Sequence, residues 1–445
     1  MKLKWCMDSL FLLWIWFVLI AAGCSTEADP ETKSVDLVIH SFYSDHRVEM
    51  LKDVVEHYTA NSNKEIHVRF ETIPDDFDRL GQLEALYKSG EQVDLIWVPG
   101  TISHSELALR GYADSLSHYM ANLNLADYYI DLSRFEFAGQ LYALPLRWTE
   151  YVIYYNKDVF DRYQVPYPHH EWTYEELAEA ASRLTIPEDG IIGIQHGSSL
   201  FYTVGGAYAG ATFDESGGRL VLNSEEALAG IRFLVDQFRY NKIDGRIGED
   251  LSQGFIAEPE FFDGHVAMTV STTTAHRAMT EHVPHLGMAP FPRGDAQQLG
   301  LSELDSMAIS PLSEHKEEAF DLLRYLTSDI EGVSLLVQSG FTLPLLRDEQ
   351  LYAEWHQFYG DEYADTIQFI LQNNEHNFGF PPPVPGYSNM LMKAAPLFID
   401  PQQGLYSGLL EPDEQFANMI ETINLEWELE RVNEWEPLYD QWDGN

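Results

Sequence analysis

Along the first third of the chain the spacing of apolar residues switches repeatedly between two periods. "VDLVIHSF", starting at Val35, is a short β-rich run, after which Met50, Leu51, Val54, Val55 and Tyr58 recur at helical spacing. "EIHVRFETI" returns to a strand pattern, "DRLGQLEALYKSG" predicts a helix closing at Gly90, and "VDLIWVP" predicts a third strand. Strands that alternate with helices in this way predict βαβ units and an α/β fold with a mainly parallel sheet covered on both faces.

Further on, Thr173 and Glu176 form a capping-box pattern that starts a helix at about Tyr174. Ser224 precedes a helix with Leu228, Ile231, Val235 and Phe238 on one face. Ala319, Leu322, Leu323 and Leu326 line another, and Phe416, Met419, Ile420, Ile423 and Trp427 a fourth. Such stripes face a core, and no function is assigned to them. One stretch breaks the pattern. "GQLYALPLRWTEYVIYYNKDVF", Gly139 to Phe160, predicts two strand segments interrupted by Arg147, Trp148, Thr149 and Glu150. The only proline cluster, "PPPVP" at 381–385, reads as a rigid connection.

The N-terminus has the order of an export signal: Lys2 and Lys4, then an apolar run from Leu10 to Ala22, then small residues before Cys24. The run is shorter than the ~20 residues that span a bilayer. Ala21-Ala22-Gly23-Cys24 resembles a bacterial lipobox, which implies cleavage before Cys24 and lipid on its sulfur, with 24–34 as a flexible tether. The only other cysteine is Cys6, inside the signal, so the mature chain has no thiol for a disulfide and relies on its core.

With 445 residues, 45% of them hydrophobic, the chain can bury two or three compact units. Its 71 acidic and 27 basic residues give a formal charge of −44, which argues against nucleic acid as a partner and reads as a solvated surface. Well-marked catalytic motifs are missing: no GxxxxGK[ST], no GxGxxG after a strand, no HExxH, no GxSxG and no EF-hand loop. Carboxylate pairs suited to glycoside hydrolysis stay open, because their separation is spatial. His276, His282 and His285 match no zinc spacing, and no metal or organic cofactor is expected.

Four segments in order carry a family resemblance. "GQLYALPLRWTEYVIYYNKDVFDRY" with "EWTYEELAEAASRL", then "FFDGHVAMTVSTTT", "HLGMAPFPRG" and "MAISPLSEHKEEAFDLLRYLTSDIEG" resemble extracellular solute-binding proteins of family 1, which serve ABC importers of sugars and oligosaccharides. The resemblance implies a two-lobed, periplasmic-binding-protein-like fold of type II whose hinge the chain crosses more than once. One lobe would hold 35–146 and 305–345, the other 147–304 and 346–445, with 1–23 as signal peptide. It further implies an extracytoplasmic protein that is not an enzyme and hands its solute to an ABC permease and its ATPase; the lipobox-like start adds a lipid anchor, and a monomer is the default quaternary state.

Sugars need flat aromatic surfaces and a few fixed polar partners, and ligands of open α/β sheets sit beyond the carboxyl ends of strands. This selects Tyr43 and Asp45 after the first strand, Trp97 at the end of the third, and Arg147, Trp148 and Glu150 at the crossing. In the second lobe Tyr202, beside "VGG", and Thr273 and His276, after "VAMTV", are the candidates. Each has a plainer reading: Trp97 as core, Trp148 as packing under the hinge, and Arg147 with Glu150 as a mutual pair. Two other functions stay open, an exported polysaccharide-acting enzyme and a solute sensor for a signalling kinase.

Overall fold

The computed structural model describes residues 34–442 except 75–77, 120–122, 124–126, 196, 215–216, 241–242, 244–258, 374–383, 401–403 and 406–409. The signal, Cys24, nearly all of the tether and 381–383 therefore lie outside the described residues.

The alternating periods become β1 (Val35–Ser41), α1 (His46–Asn61), β2 (Ile66–Thr72), α2 (Arg79–Ser89), β3 (Leu95–Val98) and α3 (His104–Arg110). Gly90 ends α2 in the left-handed region, φ 78°, where a glycine carries no Cβ penalty. A small hairpin, β4 (Glu136–Phe137) and β5 (Gln140–Leu141), precedes β6 (Leu144–Asn156). Then follow α4 (Lys157–Arg162), α5 (Tyr174–Arg183), β7 (Ile192–Gln195), α6 (Phe201–Ala209), α7 (Glu225–Tyr240), α8 (Pro259–Phe262), β8 (Val266–Thr272), α9 (His276–His282), β9 (Leu286–Ala289) and β10 (Ser302–Ile309). The remainder is helical: α10 (Lys316–Thr327), α11 (Ile330–Ser339), α12 (Glu349–Tyr359), α13 (Asp361–Gln372), α14 (Tyr387–Ile399), α15 (Glu414–Glu430), a π turn (Arg431–Trp435) and α16 (Glu436–Gln441). The capping box expected at Thr173 and Glu176 is present, and α5 begins at Tyr174.

The large sheet runs β2-β1-β3-β10-β6-β8-β7, with β9 also on β6. β1 is parallel to β2 and β3, whereas β10 and β6 run antiparallel to their neighbours. Leu144 to Glu150 of β6 pair with β10, and Tyr151 to Asn156 pair with β8 and β9. The two segments expected around Arg147–Glu150 are thus one strand of 13 residues, all buried. The polar side chains in its middle, Arg147, Thr149 and Glu150, each meet a partner from a distant part of the chain, as detailed below.

Two apolar cores flank this strand. Leu37, Ile39, Leu95, Ile96, Leu322 and Leu326 belong to one; Ile153, Leu177, Ala181, Val204, Ile231 and Met268 belong to the other. The first core continues through Trp355, Tyr359 and Ile367 of α12 and α13 to Val266 and Leu286. The C-terminal helices also join the two. Phe416 and Ile420 of α15 lie in the second core, while Trp435 lies in the first, with the Arg110 guanidinium 4.6 Å from its ring and Trp442 5.0 Å from Phe137. The π turn adds a residue to the helix between these two packings.

Candidate functional site

Register along β6 and β10 decides which side chains share a face. Asp305 pairs with Arg147 but Ser306 pairs with Pro145, so Leu146 is left over as a bulge. Pro145 has no N–H to give the ladder, and a bulge is where a sheet tolerates proline. Cross-strand partners lie on one face. Glu303 pairs with Thr149 and Ser302 with Glu150. One face therefore presents Arg147, Thr149, Tyr151, Glu303 and Asp305, and the other Trp148, Glu150, Ser302 and Leu304.

The first face is a charged cluster fed by three strand ends. Arg147 Nη1 donates to Glu303 Oε2 at 2.8 Å and lies 3.5 Å from Asp305 Oδ2. The Tyr151 hydroxyl donates to Glu303 Oε1 at 2.6 Å. Asp305 also accepts from the Tyr43 hydroxyl at 3.0 Å, the Trp97 indole N–H at 3.1 Å and the Gly100 N–H at 3.2 Å. Gly100 is needed there, since a Cβ would stand 2.6 Å from the Leu304 carbonyl oxygen. Tyr43 packs edge-on against Trp97, and the Arg47 guanidinium sits 3.8 Å above the Tyr43 ring. Asp45 caps α1 by accepting the Arg47 N–H and ion-pairs with the Arg47 side chain.

Exposure separates the two acids. The Asp305 side chain is 1% exposed and that of Arg147 2%, whereas Glu303 is 32% exposed. Burial raises the Glu303 carboxyl, but Arg147, the Tyr151 hydroxyl and Arg47 outweigh it and hold the group below the ordinary glutamate value. Asp305 is pushed up, by burial first and by Glu303, against the pull of Arg147. Burial and the facing carboxylates drive Tyr43 and Tyr151 well above the usual phenol range, so both remain donors.

The opposite face is closed. The Trp148 indole N–H donates to Glu150 Oε1 at 2.8 Å, and the Ser302 hydroxyl is 2.8 Å from both Glu150 oxygens. Trp148 N–H donates to Thr342 Oγ1, and its carbonyl accepts from Leu343 N–H. Beside them Thr149 Oγ1 and Thr273 Oγ1 are 2.7 Å apart, Glu150 N–H donates to Thr273 Oγ1, and the Tyr359 hydroxyl donates to the Thr273 carbonyl at 3.0 Å. His276 lies in a cage of rings, 4.8 Å from Tyr359, 4.6 Å from Tyr363 and 6.0 Å from Phe358, and burial lowers it to about 4, leaving it neutral.

The candidates thus fall into two connected groups. Tyr43, Trp97 and Arg147 meet in the charged cluster, with Asp45 beside it through Arg47; Trp148 and Glu150 pair on the opposite face, and Thr273 links Thr149 and the Glu150 N–H to the rings around His276 through Tyr359. Tyr202 lies in the first turn of α6, packs 5.7 Å from Phe398, and lies near enough to Tyr151 for its charge to oppose ionisation there. Tyr151, Ser302, Glu303 and Asp305 were missed. The available signal was two acids at alternate positions in "SELDSMAI", a strand otherwise rich in apolar residues. His282 stacks on Phe262, and His285 Nδ1 is 2.8 Å from Asp158. Among the described residues no group of three or more His, Cys, Asp or Glu could hold a metal ion, and no helix is long and apolar enough to cross a membrane.

Residues 45–332 match the bacterial extracellular solute-binding protein family. The chain belongs to that family. A binding protein of Brucella abortus (strain 2308) is 25% identical over 363 residues, covering 79% of this chain and 83% of that one. The solute-binding fold is shared with the ABC substrate-binding protein Lmo0181 of Listeria monocytogenes, solved with cycloalternan: TM-score 0.72, 20% identity, 88% of this chain and 98% of that one. Maltose-bound MalE3 of T. maritima is similar, with a TM-score of 0.72 at 19% identity over 89% of this chain and 99% of its own. The architecture of this solute-binding protein is therefore the two-lobed type II fold that the sequence resemblance implied.

Proposed function

We propose that this solute-binding protein is the extracytoplasmic capture component of an ABC importer and takes a sugar or oligosaccharide between its two bodies. The observation that carries the reading is the Arg147–Glu303–Asp305 cluster. It is built on the two strands that run between the bodies, is joined by Tyr43 and Trp97 from one body and Tyr151 from the other, and is open at Glu303. Fixed acceptors and donors beside aromatic edges are what sugar hydroxyls and C–H faces require. The similar folds solved with cycloalternan and with maltose support that choice of solute.

In this reading 35–146 and 305–345, with α12 and α13 packed on their core, form one lobe and the elements of the second core form the other; the solute, by touching both, stabilises their closed arrangement through differential affinity. Lipid on Cys24 holds the protein at the membrane, where a permease and its ATPase accept the solute unchanged. A thermal-shift screen of sugars, polyamines and peptides tests the proposal, because a saturating ligand raises stability by RT ln(1 + [L]/Kd). Carbohydrates are expected to give the shifts. Shifts from peptides or polyamines alone, or release of reducing ends from glycans, would overturn it.

A further inference from the structure

We propose that Glu303 sets the solute class of the site, admitting neutral polyhydroxyl compounds and rejecting counterparts that carry a carboxylate or phosphate. The inference rests on the sugar-binding reading and narrows it.

The two acids of the cluster are used differently. Asp305 is enclosed and takes hydrogen bonds from Tyr43, Trp97 and Gly100, with Arg147 close by, so its lone pairs are committed. Glu303 takes one bond on each oxygen, from Arg147 and Tyr151, both on its own face of the sheet. A carboxylate has about four acceptor sites. The two donors thus hold the Glu303 headgroup in place while acceptor capacity remains on its exposed third. That is a preorganised acceptor for solute O–H groups, and bonds to an ionised acceptor are shorter and stronger than neutral ones.

The same arrangement is hostile to an anion. Among the described residues, Glu303 and the enclosed Asp305 share the guanidinium of Arg147, and Arg47 is the other cation whose charge acts on both. Arg47 is occupied by Asp45, and Arg147 is shared between the other two acids. Arg147 also keeps Glu303 ionised by its proximity. A carboxylate or phosphate brought against Glu303 would meet a fixed like charge in a partly dry site, with no uncommitted cation among these groups to offset it.

Calorimetric titration of the folded chain with three matched pairs tests this: maltose against maltose 6′-phosphate, D-galactose against D-galacturonate, and D-mannitol against D-mannitol 1-phosphate. In the wild type, every pair whose neutral member binds is expected to show its anionic member at least about 100-fold weaker. Glu303→Gln should weaken the neutral member about 10- to 100-fold, the loss expected for a hydrogen bond to a charged group, and narrow the gap within the pair to less than tenfold. Near-equal binding of both members in the wild type, preference for the anionic member, or an undiminished gap in Glu303→Gln would each overturn the inference while leaving sugar binding intact. The wild-type comparison decides the matter even where the variant does not fold. Absence of binding to every carbohydrate, here and in the thermal screen, would instead remove the sugar reading and this inference with it.

Discussion

Trp148 and Glu150, two residues apart on the same buried face of β6, are joined by a 2.8 Å hydrogen bond from the indole N–H to the carboxylate. The pair is a structural keystone behind the charged cluster, since Trp148 is 2% exposed and Glu150 fully covered. Trp148→Ala removes a large buried ring and a donor to a buried acid, and is expected to cost about 3–5 kcal/mol of stability. Trp148→Phe keeps most of the packing and should cost about 1–3 kcal/mol, the usual penalty for orphaning one buried polar partner. Denaturant unfolding measures both; a loss under 1 kcal/mol for the alanine variant would show that the ring is not part of the core.

Arg147 is the counter-charge for two acids, so removing it should be costlier than removing either one. Arg147→Met leaves Glu303 and Asp305 facing each other and is expected to lose about 3–5 kcal/mol. Adding Asp305→Asn to that variant should recover part of the loss, because only one acid then remains. Equal stability of the single and double variants in denaturant titrations would show that the two acids do not share Arg147.

Glu106 gives a pH dependence with a defined sign. It sits on α3, fully buried, and accepts from its own cap Ser103 N–H at 3.1 Å, from Gly386 N–H at 3.0 Å and from the Ser388 hydroxyl at the start of α14. Burial, helped by Glu430, pushes it up to about 7 against the pull of those donors. A raised carboxyl contributes stability that is complete below the unfolded value near 4.5 and is lost as pH rises through about 7. Stability should therefore fall between about pH 4.5 and 7 more steeply in the wild type than in Glu106→Gln, by an amount on the order of 3 kcal/mol, read as a steeper decline in melting temperature. Parallel profiles would mean that Glu106 does not titrate in that range.

His276 acts at the other end of the scale. Burial lowers it to about 4, so its contribution is present above the unfolded value near 6.5 and is lost as pH falls towards 4. His276→Phe, which fits the surrounding rings without a basic nitrogen, is expected to shift the acid unfolding midpoint to lower pH in a fluorescence titration. An unchanged midpoint would place the acid sensitivity elsewhere.

The first strands and helices were legible because apolar spacing switches period cleanly at Val35, Met50 and Val93, and because Thr173 with Glu176 and Gly90 mark helix ends by local chemistry. The continuity of β6 was not. Arg147, Thr149 and Glu150 look like a break when viewed alone, since their partners Glu303, Thr273 and Ser302 lie more than 100 positions away. The rule that ligands sit beyond strand ends selected Tyr43 and Trp97, and the expected hinge crossing added Arg147. That rule had no purchase on Glu303 and Asp305, because an acid inside a strand reads as solvent-facing until register shows what lies opposite.

Neither β6 nor β10 contains a glycine, and β6 is paired at both ends, to β10 in its first half and to β8 and β9 in its second. Under the proposed closure, a swing of one body against the other would find no glycine to fold at in either strand and would be spread along the ladder and its bulge at Leu146, as in a torsion bar. The restoring force would come from the ladder itself, and stiffening or softening any one residue along it should change the swing only a little.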